Sequence, residues 1–284
     1  MGRRKFDSRS VGLDIGLSFS RWLTGRENLH YGMWDGLEIC AGNVGAAQEA
    51  YTAKLFELLP GGPLRILDIG GGAGETAKKL VALGHAVEIV VPSAFLAERC
   101  RANAPQAVVH EATFQDAQVV GPFDLCLFSE SFQYIPLEDG LPKCLDLLKP
   151  GGHILIADCF RSEAFAPDKV QATCGGGHAI LSFRDYLASQ SLTVLHEEDI
   201  TAAVAPSIDV EQGLFNVVGY GLARVDAQMA NQKPRMRSLG HWLLRRVLSD
   251  RKRARLDQRL NQQTRNATSF MANNTYLMLK LQKQ

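Results

Sequence analysis

Short apolar runs alternate with amphipathic stretches along most of this chain, and that alternation predicts its elements. Leu64-Arg65-Ile66-Leu67-Asp68-Ile69 is a compact apolar run, the mark of a buried strand. Glycines break it, and Glu75-Thr76-Ala77-Lys78-Lys79-Leu80 opens a helix that stops at Gly84-His85. Ala86–Val91 is a second strand, closed by Pro92-Ser93, and a helix follows to about Ala102. Val108–His110, Phe123–Phe128 and His153–Asp158 read as three further strands. A helix before Leu148-Lys149-Pro150-Gly151-Gly152 separates the last two. Strand and helix alternating at this pitch predict an α/β, doubly wound, mostly parallel sheet.

The pattern extends in both directions. A short helix is expected around Ile15–Leu23 and another from Gly45 to Leu59, ended by Pro60-Gly61-Gly62-Pro63. Downstream, Phe183–Gln190 reads as a helix and Leu192–Ile200 as a sixth strand. Thr275–Leu281 alternates as a closing seventh strand. A long stretch rich in basic residues separates the last two strands.

The glycines of Gly70-Gly71-Gly72-Ala73-Gly74 are spaced G-x-G-x-G, not the G-x-G-x-x-G of a dinucleotide fingerprint. A strand, a glycine turn and a helix N-terminus bring backbone N–H groups within reach of a ligand. Three further segments accompany the turn. They are Pro122–Pro136, with Ser129-Glu130-Ser131 at the end of strand four, the Leu147-Leu148-Lys149-Pro150-Gly151-Gly152 turn, and Asp199-Ile200-Thr201 at the end of strand six. Together with Asp68 ahead of the glycines, these segments across about residues 62–200 resemble the class I S-adenosylmethionine (SAM)-dependent methyltransferases. His30-Tyr31-Gly32-Met33-Trp34 is similar to an N-terminal lid motif of the small-molecule branch. The resemblance implies a seven-stranded Rossmann-like sheet with its last strand antiparallel. Residues 1–61 would form a helical lid, 62–202 the SAM-binding core, 203–272 an inserted basic helical cap, and 273–284 the closing strand.

It also implies a site. SAM would be held by Asp68 and by Gly70, Gly72 and Gly74, where a Cβ would obstruct the ligand. Gly71 reads as an ordinary turn residue. Glu111, with Ala112 beside it, takes the position that meets the adenine amino group; a solvated loop glutamate is the competing reading. Ser129, Glu130 and Ser131 would line the methionine moiety. The family carries a carboxylate for the ribose hydroxyls at the end of strand two, where this chain has Val90 and Val91. Ser93, or Glu88 from a longer strand, are the substitutes. Methyl transfer is chiefly proximity and alignment, and a base is needed only if the acceptor must lose a proton. His178, on the Cys174–His178 loop, is the first candidate base, with an ordinary loop histidine as its alternative. His30 and Tyr31 are the second, with Tyr31 also a lid contact to SAM. Trp34, Phe132 and Tyr134 could wall an apolar acceptor pocket or simply pack in the core.

Composition narrows the function without deciding it. The 284 residues are 46% hydrophobic and 21% charged, values of an ordinary globular protein. No apolar run reaches the ~18–20 residues of a membrane span, and no signal-peptide pattern is visible. Six scattered cysteines show no metal-ligand spacing and read as reduced thiols. These features lead to the expectation of a cytoplasmic enzyme. The formal charge of +1 conceals an asymmetry. Between Lys233 and Arg265 there are eleven basic residues against Asp250 and Asp257. Leu239, Trp242, Leu243, Val247 and Leu248 recur there at helical spacing. That segment is either an amphipathic helix with a solvated basic face or a docking surface. In the second case its partner is an anionic membrane or an acidic carrier protein, which would make the enzyme peripheral to a membrane or carrier-dependent. Nucleic acid ranks last, because no binding motif accompanies the charge.

The expected activity is methyl transfer from SAM to O, N or C of a small, hydrophobic or carrier-bound acceptor. The competing readings are a non-catalytic scaffold that kept the fold and a cyclopropanating lipid enzyme.

Overall fold

The computed structural model describes residues 8–166, 174–261 and 264–284. Seven strands form one sheet: β1 (Arg65–Ile69), β2 (Ala86–Val91), β3 (Val108–Glu111), β4 (Phe123–Ser129), β5 (Leu148–Arg161), β6 (Leu192–Asp199) and β7 (Asn274–Lys283). Their order is β3-β2-β1-β4-β5-β7-β6. Pairs from β3 through β5 are parallel, and β7 runs antiparallel to both β5 and β6. The continuous apolar runs of β1 and β4 are those of strands covered on both faces; Ile66, Leu67, Leu125 and Leu127 are fully buried.

Helices α1 (Ser8–Thr24), α2 (Val44–Phe56), α3 (Glu75–Ala82), α4 (Ala94–Asn103), α5 (Leu137–Leu147) and α6 (Ile180–Ala188) flank the sheet. Two apolar cores result, one per face. Tyr51, Leu80, Ile89, Leu155 and Met278 belong to the first, Phe128, Phe132, Phe160, Phe183 and Leu279 to the second. After β6 come α7 (Thr201–Val204), the long α8 (Pro206–Gln232), α9 (Pro234–Val247), α10 (Asp250–Leu260) and α11 (Ala267–Asn273), which returns the chain to β7.

The elements lie close to where the hydrophobic pattern puts them, with β2 matching to the residue. One difference is local. The Leu148–Gly152 stretch, expected as a turn, is the first part of β5, because Leu148 pairs with Phe123 before the register shifts and His153 pairs with Leu125. The chain thus enters the sheet through a bulge.

A candidate site at the glycine turn

At the carboxyl ends of β1, β2 and β4 lies a cavity of about 380 Å³. The sheet order reverses between β1 and β4, which makes this the switch point where open α/β sheets bind ligands. The glycine turn forms one wall. Gly70, Gly72 and Gly74 all have positive φ, of 75°, 55° and 86°, conformations that side chains resist. Their own N–H groups are engaged: Gly70 donates to Val90 O, Gly72 to Gly70 O and Gly74 to Gly71 O. The donors left for a ligand are the N–H groups of Gly71 and Ala73 in the turn and those of the first turn of α3, which no helical carbonyl can reach. Gly74 itself stands outside the cavity lining; a Cβ there would come within 3.0 Å of the Cys100 Cα, so it serves the packing of α4 against the turn. Gly71, read from sequence as an ordinary turn residue, does line the cavity. A Cβ on it would come within 2.6 Å of Asp68 Oδ2 and 2.8 Å of Ile89 Cγ2.

Asp68 dominates this wall. It is 1% exposed, and its Oδ2 is buried with no hydrogen-bond partner among the described residues. Desolvation pushes its carboxyl up to about 7. A buried acceptor left without a donor is costly, and here it faces a cavity that can hold one.

Glu130 enters from the end of β4 with φ of 57°, an unusual conformation for a glutamate. Its Oε1 accepts from the Tyr31 N–H at 2.7 Å and from the Tyr276 hydroxyl at 3.0 Å. Tyr276 in turn lies 2.9 Å from the Tyr51 hydroxyl, which reaches Ser129 Oγ at 3.2 Å. Burial pushes the Glu130 carboxyl up to about 8. Ser131 donates to Ile69 O and packs where a Cβ on Gly70 would have to go. Ser129, Glu130 and Ser131 all line the cavity.

Residues 28–34 form a strap over this region. Gln48 holds the Asn28 and His30 carbonyls, Ala47 O accepts from Met33 N–H, and Ser207 Oγ accepts from Gly32 N–H and from Trp34 Nε1. His30 lines the cavity, stacks on Tyr51 with ring centroids 4.5 Å apart, and is held neutral because burial drives its imidazole down to about 4. Tyr31 turns away, packing edge-on against Phe270 at 6.0 Å.

Several expected site residues lie elsewhere. Trp34 is 5% exposed and buried against Ser207, and Phe132 is fully buried among Phe128, Phe160 and Phe183; only Tyr134 of the three aromatics reaches the cavity. His178 sits against Phe132, whose carbonyl is 3.2 Å from its Nε2, and does not line the cavity. Its loop is packed rather than loose: a Cβ on Gly176 would come within 2.7 Å of Gln133 Oε1, and one on Gly177 would overlap the Cys159 carbonyl. Glu111 is exposed and pairs with Arg101 at 3.5 Å, and neither it nor Ala112 lines the cavity; Thr113, Phe114 and Gln115, just beyond, do. Glu88 is ruled out as the ribose ligand, since it lies mid-strand between Arg65 at 2.7 Å and His110 at 2.8 Å. Ser93 is present and caps α4 by accepting from Leu96 N–H. Among the described residues of 203–272 none lines the cavity, and Ser207 of the insert meets the strap.

The lining also contains two carboxyl groups that carry no local signal in the sequence. Glu27 is occupied on both oxygens by Arg99, with Arg21 and Asn103 adding to the set. Glu75, in the first turn of α3, has Lys78 at 3.7 Å. With Asp68 and Glu130, that makes four carboxyl groups facing the cavity, while no lysine or arginine among the described residues lines it.

The comparisons agree with this architecture. Residues 66–152 match the family model of a methyltransferase domain. An uncharacterized methyltransferase of Mycobacterium tuberculosis is 29% identical over 98 residues, which are 34% of this chain and 40% of that relative's length. Among solved structures, a cyclopropane synthase of Mycobacterium tuberculosis superposes with a TM-score of 0.69 at 16% identity, covering 95% of each chain. The geranyl diphosphate C-methyltransferase of Streptomyces coelicolor, solved with geranyl diphosphate and S-adenosylhomocysteine, gives 0.65 at 12% identity, covering 99% of this chain and 100% of its own. Residues 66–152 thus match a methyltransferase domain, and the seven-stranded sheet is the fold these solved methyltransferases share.

Proposed function

We propose that this protein is a SAM-dependent methyltransferase acting on a small, hydrophobic acceptor. The observation that carries the reading is the acidic make-up of the cavity wall: four carboxyl groups, one of them with an oxygen lacking any donor, and no lysine or arginine among the described lining residues. SAM brings a sulfonium, an ammonium and a single carboxylate, so it is a net cation of the kind such a wall favours. When bound, it supplies an already activated methyl group.

The chain's own residues then have distinct tasks. Asp68 Oδ2 accepts from the ammonium, and its ionisation is favoured by that contact. The first-turn N–H groups of α3 meet the ligand's carboxylate. Thr113, Phe114 and Gln115 flank the base. For the ribose hydroxyls we assign Glu75, because Val90 and Val91 cannot accept a hydrogen bond and the acceptor positions of Glu27 are already filled. The acceptor enters past Tyr134 and Ile135 toward Ser129 and Glu130. If it must lose a proton, Glu130 is better placed than His178, which is shielded from the cavity by Phe132. The acceptor class is drawn from the apolar character of that entrance.

Calorimetric titration with SAM and S-adenosylhomocysteine tests the reading. Micromolar binding of both, lost in Gly72→Arg and weakened in Asp68→Asn, is the expected result. Folded protein that binds neither would leave a scaffold with a methyltransferase fold.

A further inference from the structure

The inserted helices leave an apolar surface outside the protein. None of the residues of α9 is buried. Met236, Leu239, Leu243, Leu244 and Val247 are 56, 56, 48, 53 and 77% exposed. Their spacing of three and four gathers them on one stripe of the helix. The polar edge of α9 faces inward instead: Arg237 and His241 bond Asp226 of α8 at 2.8–2.9 Å. The helix therefore docks on its neighbour through charge and holds its apolar stripe away from the core. Trp242, 51% exposed, lies at the border of that stripe with the Arg246 guanidinium 5.2 Å from its ring centre. From Lys233 to Leu260 the chain carries ten basic residues against two acidic ones.

We infer that α9, with Arg245 and Arg246 in its last turn, is a docking surface for an anionic lipid membrane. The inference is independent of the methyl-transfer reading. An apolar stripe edged by tryptophan and arginine suits a helix lying in the headgroup boundary, apolar side in the acyl region and cations at the phosphates. A second copy of the chain fits poorly, because apposing two such faces would bring like charges together. An acidic protein would satisfy the cations but give five large apolar side chains no apolar medium.

Flotation of the full chain tests this, with vesicles of phosphatidylcholine alone and with roughly a third phosphatidylserine. At about 0.1 M salt the protein should float with the anionic vesicles at least ~10-fold better than with neutral ones, and less well as salt rises. Leu239→Gln/Leu243→Gln/Val247→Gln and, separately, Arg245→Glu/Arg246→Glu should each reduce flotation at least ~10-fold with unchanged melting curves, as expected of exposed positions. Trp242 fluorescence should be quenched by brominated acyl chains, and Trp242→Phe should lose that signal. Four results would overturn the inference. They are no flotation by folded protein, equal flotation with both vesicles, a dimer in sedimentation that the triple-glutamine variant converts to monomer, and retention by an acidic carrier protein without vesicle binding.

Discussion

The two ends of the cavity are built on opposite terms. At the glycine turn, a buried carboxylate with an unpartnered oxygen sits among backbone conformations that only glycine adopts easily. At the end of β2, Val90 and Val91 present hydrocarbon, and the carboxylate proposed for the ribose, Glu75, comes from the first turn of α3. The first end is fixed by the backbone of the fold; the second is assembled from whatever side chains surround it. In the proposed binding mode, recognition at the turn is hard to relocate, whereas the ribose contact moves from strand to helix without altering the sheet.

That contrast can be broken most severely at Gly70. A Cβ there would overlap the Ser131 Cβ at a φ of 75°, so Gly70→Ala should cost about 2–5 kcal/mol of stability in denaturant melts. Asp68→Ala should fold yet bind SAM about 10- to 100-fold more weakly by calorimetry, the loss expected for a charge-assisted bond.

A pH series tests the same carboxylate. Its ordinary value is 3.8 and burial raises it to about 7. Between about pH 4 and 7 the unfolded chain gives up this proton and the folded one keeps it, so the contribution of Asp68 to the stability of the ligand-free protein should fall as pH rises through that window and then level off. Asp158 and Glu130, pushed up by burial to about 7 and about 8, add contributions of the same sign, and His30, held down to about 4, opposes them below its ordinary value of 6.5; the difference between wild type and Asp68→Asn isolates the Asp68 share. Asp68→Asn should flatten the decline and be the more stable protein at pH 8, by roughly 1–4 kcal/mol. SAM binding near pH 6 should release a proton, visible as a buffer-dependent heat.

The smallest effects belong to the β2 end. Glu75→Gln should weaken SAM by about 3- to 10-fold, and Val91→Asp in that background should restore part of the loss. Unchanged affinity in both variants would remove Glu75 from the ribose.

How much of this was legible in the sequence follows the same divide. The sheet, the turn and the Ser129–Ser131 segment could be read because they rest on hydrophobic runs and on glycines with a conformational reason to be there. Gly71 was missed because its constraint is a contact with Asp68 and Ile89, not a backbone angle of its own. Glu27 and Glu75 had no local signal: one reaches the cavity from the segment after α1, and the other looks like any acidic residue opening a helix. Trp34, Phe132 and His178 misled for the opposite reason. Residue type marked them as chemistry, and packing against Ser207, the phenylalanine cluster and the Phe132 carbonyl removed them from the cavity.

The position of β7 has a consequence for how the protein comes into being. Because β7 lies between β5 and β6, β6 has no partner in the sheet when it leaves the ribosome, and none arrives until α7 through α11 have been made. During that interval the β5 edge, with Ile154, Leu155 and Ile156 all destined for full burial, stands open. Unpaired edges of this kind invite association with other chains. Translation speed across Thr201–Asn273 thus sets how long the growing chain is exposed. Synonymous changes that slow it should lower soluble yield while leaving the finished protein's melting curve unchanged.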